Sequence, residues 1–269
     1  MRFIEAIKFL VKEHAKNIKK IFQIGIAHAK RQTLRTSLGL GWVFTRDIIY
    51  FSAFTVFRYL MSGSREVEGI NFIVYIITGI VPWNFMSEVL SGASGAIKSN
   101  ITIIKNISFP ISIIPTFEVV AVFYRRLFTL IIPFVIILIF GDIMLFNPLL
   151  YIYYFLSMFI LMIVLNFTFS AIIAISADFQ QLYLALVRIL FFLMPILWSF
   201  ERIVNYPTVE FILKLNPMVY IITGFRDAFV HNVPPSLNYS LYFWAIIIIL
   251  FTIGSYFQYK MRKYYADFM

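Results

Sequence analysis

Apolar residues run in long unbroken stretches along this chain, separated by short polar breaks. An α-helix rises 1.5 Å per residue, so about 20 mostly apolar residues cross the ~30 Å hydrocarbon core of a bilayer. Six stretches are candidates: 38–61, 70–90, 111–140, 149–176, 182–200 and 239–259. The third and fourth are long enough to tilt or to extend past the core. Their apolar positions are continuous rather than alternating, which argues against membrane β-strands. The pattern predicts an all-α integral membrane protein with six transmembrane helices.

Residues 1–37 break this pattern. Ile4, Ile7, Val11, Ile18, Ile21 and Gly25 follow helical spacing on one face, while Arg2, Lys8, Lys12, Lys16, Lys19 and Lys20 occupy most of the rest. The segment is too charged to span and has no small-residue cleavage site, so it is not read as a signal peptide. It predicts an amphipathic interface helix ahead of a membrane domain at 38–269. A simple lipid anchor is the alternative use of such a helix.

The stretch 201–238 is apolar in two short pieces. Residues 209–215 precede the break Asn216-Pro217, and 218–230 precede Asn232-Val233-Pro234-Pro235. The second piece is about 20 Å long as a helix, too short to cross. Two short helices forming a re-entrant outer hairpin fit best, with Asn216 capping the helix that Pro217 starts. Non-helical backbone at that depth needs protein or a water-filled cavity around it. A cap that merely packs on top is the alternative.

Hydrophobic residues make up 61% of the 269 and charged residues 13%, which leaves too little polar surface for a soluble globule of this size. The net charge of +10 is resolved by its distribution. Nine Lys and Arg lie in the first 37 residues and three in the last ten. With six spans both termini share one side, and the positive-inside rule makes it the cytoplasm. The loop 91–110 is then cytoplasmic and adds Lys98 and Lys105, whereas 62–69 sets Arg65 against Glu66 and Glu68. No nucleic-acid partner is needed to explain the basic excess.

Candidate chemistry is sparse. Cysteine is absent, and His14, His28 and His231 lie far apart, so no metal cluster is expected. No phosphate-binding GxxxxGK[ST] loop, HExxH, GxSxG or paired-carboxylate pattern stands out, so the chain does not read as an enzyme. No cofactor is expected on it. If transport uses ATP, then ATP and Mg belong to another polypeptide. The cytoplasmic loop 91–110 is the element best able to reach such an ATPase, through Ser99, Asn100, Ile103, Ile104 and Lys105; the N-terminal helix is the other candidate.

Charges inside the spans are costly, about 2.5–3.5 kcal/mol each on insertion scales. Arg46 and Asp47 fall in the first span and stand to neutralise charges near the inner interface. Arg125 and Arg126 fall within the third. Adjacent helical residues point about 100° apart, so both arginines are not expected to face lipid. They are candidates for a polar path that meets anionic phosphate. The alternatives are pairing with Glu118 or with a neighbouring subunit, or a longer cytoplasmic part of this segment. Arg188, in the fifth span near Asp178, is a weaker case. In the hairpin, Tyr206 and Tyr220 offer faces for sugars or a seal, and Arg226 with Asp227 is placed toward the outer interface. Most of the 31 Phe and 16 Tyr are explained by lipid-facing and interfacial positions.

Several linear motifs occur in a telling order: Leu38-Gly39-Leu40-Gly41-Trp42, Thr78-Gly79-Ile80-Val81-Pro82-Trp83-Asn84-Phe85, and Asn106-Ile107-Ser108-Phe109-Pro110-Ile111-Ser112-Ile113-Ile114-Pro115. Arg188-Ile189-Leu190-Phe191-Phe192-Leu193-Met194-Pro195-Ile196-Leu197-Trp198, Asn216-Pro217-Met218-Val219-Tyr220 and Tyr265-Ala266-Asp267-Phe268-Met269 follow. Together they resemble the type-2 ABC transporter permeases that export polysaccharides and polyol phosphates, and within these the wall teichoic acid exporter permeases. The resemblance covers essentially the whole chain. One departure is Arg46-Asp47, where many relatives carry Asn-Pro.

The resemblance implies a homodimer of six-span subunits in the bacterial cytoplasmic membrane, with two copies of a separate ATPase. It implies an interface helix at 1–30 and a coupling helix within 99–109. The implied cargo is a lipid-linked anionic polymer, an undecaprenyl-pyrophosphate carrying a poly(polyol phosphate). O-antigen, capsular or rhamnose-rich polysaccharide is the alternative cargo, and a membrane-embedded transferase acting on lipid-linked sugars is the competing class.

Overall fold

The computed structural model describes residues 2–34, 37–62, 66–93, 95, 110–141, 143–173 and 176–267. Helix α1 (Arg2–Thr33) is followed by α2 (Gly41–Ser62), a two-residue antiparallel hairpin of β1 (Glu66–Val67) and β2 (Ile70–Asn71), and α3 (Phe72–Ala93). Then come α4 (Ile114–Arg126), α5 (Ile132–Phe140), α6 (Pro148–Ile173) and α7 (Ala177–Leu193). The chain ends with the short α8 (Pro207–Lys214) and α9 (Pro217–Arg226) and the long α10 (Leu237–Asp267).

Among the described residues, three helices are long and apolar enough to cross a membrane: Phe72–Gly92 in α3, Pro148–Ile173 in α6 and Leu237–Met261 in α10. The segment predicted as one span at 111–140 is broken. Ile111–Arg126 and Thr129–Phe140 are bent by 60°, and together they make a fourth candidate. Pro133 explains the break, because it has no N–H to donate and its ring crowds the carbonyl four residues back. α7 has 17 residues, short of a full crossing, and α2 is long enough at 22 but carries Arg46, Asp47 and Arg58.

α3 and α6 form the centre: 78% and 67% of their apolar windows are buried, against 22% for α10. α9 packs against both. Asn-Pro starts two of these helices. The Asn147 side chain accepts from the N–H groups of Leu149 and Leu150 at 3.0 and 3.1 Å, ahead of Pro148. Asn216 accepts from Met218 N–H at 2.9 Å, ahead of Pro217. In each case the side chain satisfies an amide the helix leaves unpaired, and proline supplies a helical φ. Gly224 lets α9 approach α6, since a Cβ there would lie 2.0 Å from the Tyr154 ring.

α1 packs on α4 and α10. Ala6, Leu10, Ile21 and Ala29 are buried in that contact, and Gly25 allows it, since a Cβ there would come within 2.8 Å of the Phe117 carbonyl. Ile4, Val11, Ile18 and Phe22 remain exposed. Of the predicted apolar stripe, Ile21 and Gly25 hold protein, while Ile4, Val11 and Ile18 are left on the outside.

Candidate functional site

The charges predicted inside the spans converge on one joint. Arg46 and Asp47 are neighbours on α2 and point in different directions: Asp47 is buried, whereas half of the Arg46 side chain is exposed. Arg126, at the end of α4, is 3% exposed. Its Nη1 donates to both Asp47 oxygens at 2.8 and 2.7 Å, and its Nε donates to Glu88 Oε2 at 2.7 Å. Arg125 donates to Glu88 Oε1 at 2.9 Å and to Gln32 of α1 at 2.5 Å. Asn84 donates to Asp47 at 3.0 Å, and Arg46 reaches Glu88 at 3.4 Å.

Three guanidinium groups thus share two carboxylates, leaving one positive charge in excess. Low local dielectric strengthens the buried contacts, and the bidentate Arg126–Asp47 pair is the kind that tolerates burial. The network continues into α1, where Gln32 meets His28 at 2.7 Å and His28 meets Glu118 at 3.2 Å. Glu118, one of the alternative partners considered for the arginines, pairs with His28, while Arg125 and Arg126 meet Glu88 and Asp47. Further along the same interface His14 bonds the Leu10 carbonyl at 2.9 Å and Thr116 at 2.8 Å. Burial holds its pKa below the usual histidine value, against the opposing pull of the Leu10 carbonyl and Glu13.

A groove of about 440 Å³ opens beside the joint, between α2, α3 and α7. Arg46, Glu88 and Arg126 line it on one side and Arg188 on the other. Trp83, Phe54 and Phe191 form its aromatic wall, with ring centroids 5.4 Å apart for Phe54–Phe191 and 5.8 Å for Trp83–Phe191. Arg188 has no ion-pair partner among the described residues; Asp178 instead takes the Ser176 cap through its backbone N–H. Guanidinium beside aromatic faces suits a phosphate attached to a sugar or a lipid stem.

The hairpin residues sit elsewhere. Tyr220 is 1% exposed, with its hydroxyl bonded to Tyr153 at 2.8 Å and Ser240 at 3.0 Å. Arg226, expected at the outer interface, is buried: its guanidinium lies 3.5 Å over the Tyr75 ring and donates to the Pro195 carbonyl at 2.8 Å. Asp227 turns to His231 at 2.8 Å. Tyr206 is exposed, ahead of α8, which has no buried residue. The structure therefore brings Arg125 and Arg126 together and places Tyr206, Tyr220 and Arg226 outside that joint. Ser99, Asn100, Ile103, Ile104 and Lys105 lie outside the described residues.

Glu88 is the residue that sequence reading missed. It is the sole acid in the apolar run 70–90, a signal that it must meet a cation.

Apolar helices joined by a buried charge network define a helical membrane protein, and an open, arginine-bearing groove beside that network suits transport. Residues 7–230 match the family described as ABC-2 type transporter, and the chain belongs to that family. It is 22% identical over 230 residues to the O-antigen export system permease protein RfbA of Myxococcus xanthus, covering 86% of this chain and 87% of that one. It is 24% identical over 234 residues to the protein of the same name from Klebsiella pneumoniae, covering 84% and 86%.

Proposed function

We propose that the chain is the permease subunit of an ATP-driven exporter that moves a lipid-linked polysaccharide across the bacterial cytoplasmic membrane. The groove between α2, α3 and α7 carries this reading, because its arginines and aromatic wall match a phosphorylated lipid-linked sugar. Two chains form the path as a homodimer, each with six spans, both termini in the cytoplasm and α8–α9 as the re-entrant outer hairpin. α2 and α7 complete the six once a second copy or lipid covers their exposed faces. Two copies of a separate ATPase bind ATP and Mg. They meet the permease at 91–110, through Ser99, Asn100, Ile103, Ile104 and Lys105, and at α1. The basic, partly apolar outer face of α1 rests on membrane lipids.

Two cargoes fit. The motif resemblance supports an anionic teichoic acid chain, a poly(polyol phosphate). The names of the two relatives support an O-antigen-type polysaccharide at least as well. Both share the lipid-linked phosphate that the groove suits, and they differ in the polymer. Co-reconstitution with the cognate ATPase, followed by ATPase stimulation with each purified lipid-linked polymer, separates them. Stimulation by one polymer identifies the cargo; stimulation by neither contradicts the export reading. Replacing Ile103 and Ile104 with Asp is expected to abolish coupled ATPase activity while the permease still inserts.

A further inference from the structure

A second groove, of about 570 Å³, lies against the first and is lined by Gln32, Trp42 and Arg125. Arg46, Tyr50 and Glu88 line both, so the Arg46–Glu88 pair forms part of the wall they share. This pair is unlike the rest of the joint. Its contact is 3.4 Å, against 2.7–2.9 Å for Glu88 with Arg125 and Arg126. The Arg46 side chain is 51% exposed, whereas that of Arg126 is 4% exposed. Glu88 keeps two shorter, more buried partners if Arg46 leaves.

We propose that Arg46 is an anion-exchange site, where a phosphate or diphosphate replaces the Glu88 carboxylate on the Arg46 guanidinium. This deepens the export reading and rests on it. An exposed, long ion pair has little net worth, so a better anion displaces it readily. A phosphate offers oxygens in the plane of the guanidinium and takes two parallel hydrogen bonds. Glu88 stays in place on Arg125 and Arg126, and its charge repels the incoming anion. The site is consequently weak, as a cargo in transit requires. When the anion departs, Glu88 recloses on Arg46. Glu88 thereby acts as a positioning residue that sets affinity without holding the cargo. The same chemistry is offered by a lipid diphosphate and by a free anion.

Equilibrium binding to the full chain in phosphatidylcholine nanodiscs tests this, with farnesyl diphosphate, farnesol and inorganic diphosphate as probes. Wild type is expected to prefer farnesyl diphosphate to farnesol. Glu88→Gln removes the competing charge and is expected to bind farnesyl diphosphate about tenfold tighter or more. Arg46→Gln is expected to erase the preference while leaving farnesol binding intact. Because Arg46 is half exposed, that variant carries the test even where Glu88→Gln fails to fold. A wild-type preference that Arg46→Gln leaves untouched, or that a folded Glu88→Gln does not strengthen, overturns the exchange site and spares the export reading. Absence of any diphosphate preference in both wild type and Glu88→Gln overturns both. Inorganic diphosphate binding as well as the farnesyl form assigns the site to free anions; much weaker binding assigns it to lipid.

Discussion

The two ends of α3 are built on opposite plans. Near Glu88, charged side chains from α2, α3 and α4, joined by Gln32 of α1, meet beside open grooves, and Arg46 is tied loosely. About 20 Å along the helix, near Tyr75, the aromatic end is closed. α9, which reaches that end through Arg226, is itself set among rings: Tyr220 stacks on Phe243 at 4.4 Å, and Trp244 donates to Tyr153 at 3.1 Å. Arg226, buried over the Tyr75 ring, is met by a ring face and carbonyls rather than by a carboxylate. Charge contacts are readily exchanged for a ligand's, whereas interlocked rings must be unpacked. On the proposed export function, cargo handling and movement belong to the charged end and static support to the aromatic end.

The largest expected effect comes from stranding the buried cation of the joint. Asp47→Ala leaves Arg126 without its bidentate partner, a loss of about 3–5 kcal/mol, read as a fall in folded permease by thermal scanning in nanodiscs. If Asp47→Ala is as stable as wild type, the joint is not a buried ion-pair network. At the aromatic end, Gly224→Ala drives a methyl into the Tyr154 ring and is expected to cost about 1–3 kcal/mol. Its transport per folded molecule should stay near wild type. Transport lost at full stability would move cargo handling to this end.

Tyr220→Phe is a finer probe. It removes a hydroxyl shared with Tyr153 and Ser240, and about 1 kcal/mol of stability is expected to go with it. The smallest effect concerns pH. His14 is held below the usual histidine pKa, so the unfolded chain binds its proton first as pH falls. The docking of α1 on α4 should therefore be fully present above about pH 6.5 and weaken as the pH falls below that value. Protease accessibility of α1 measures this, and His14→Gln should flatten the dependence.

Much of this arrangement was legible in the sequence. The Asn216-Pro217 helix start, two short helices within 201–238 and a helical first segment follow from local rules that the structure obeys; Asn147-Pro148 starts α6 by the same rule and was not picked out. Where the reading fell short, tertiary packing decided. The stretch 111–140 reads as one span because it stays apolar on both sides of Pro133, and the 60° bend was missed. Arg226 looked like an interfacial residue because it follows the apolar run after Pro217, and only the fold sets it over Tyr75. Arg125 and Arg126 were recognised as unusual, but their partners, Glu88 and Asp47, are distant in sequence. No spacing rule links residues 37 to 79 positions apart.

The proposed export of a polymer past the groove between α2 and α7, about 440 Å³, requires the groove to widen. Phe54 of α2 and Phe191 of α7 meet in its aromatic wall with ring centroids 5.4 Å apart, and the chain has no native cysteine. The pair Phe54→Cys and Phe191→Cys can be bridged with a short bis-methanethiosulfonate reagent in permease reconstituted with its ATPase. Export of lipid-linked polymer is then compared before bridging, after bridging and after reduction. The account predicts that bridging stops export and that reduction restores it to the unbridged rate. Export continuing at that rate through a fully bridged groove would contradict it.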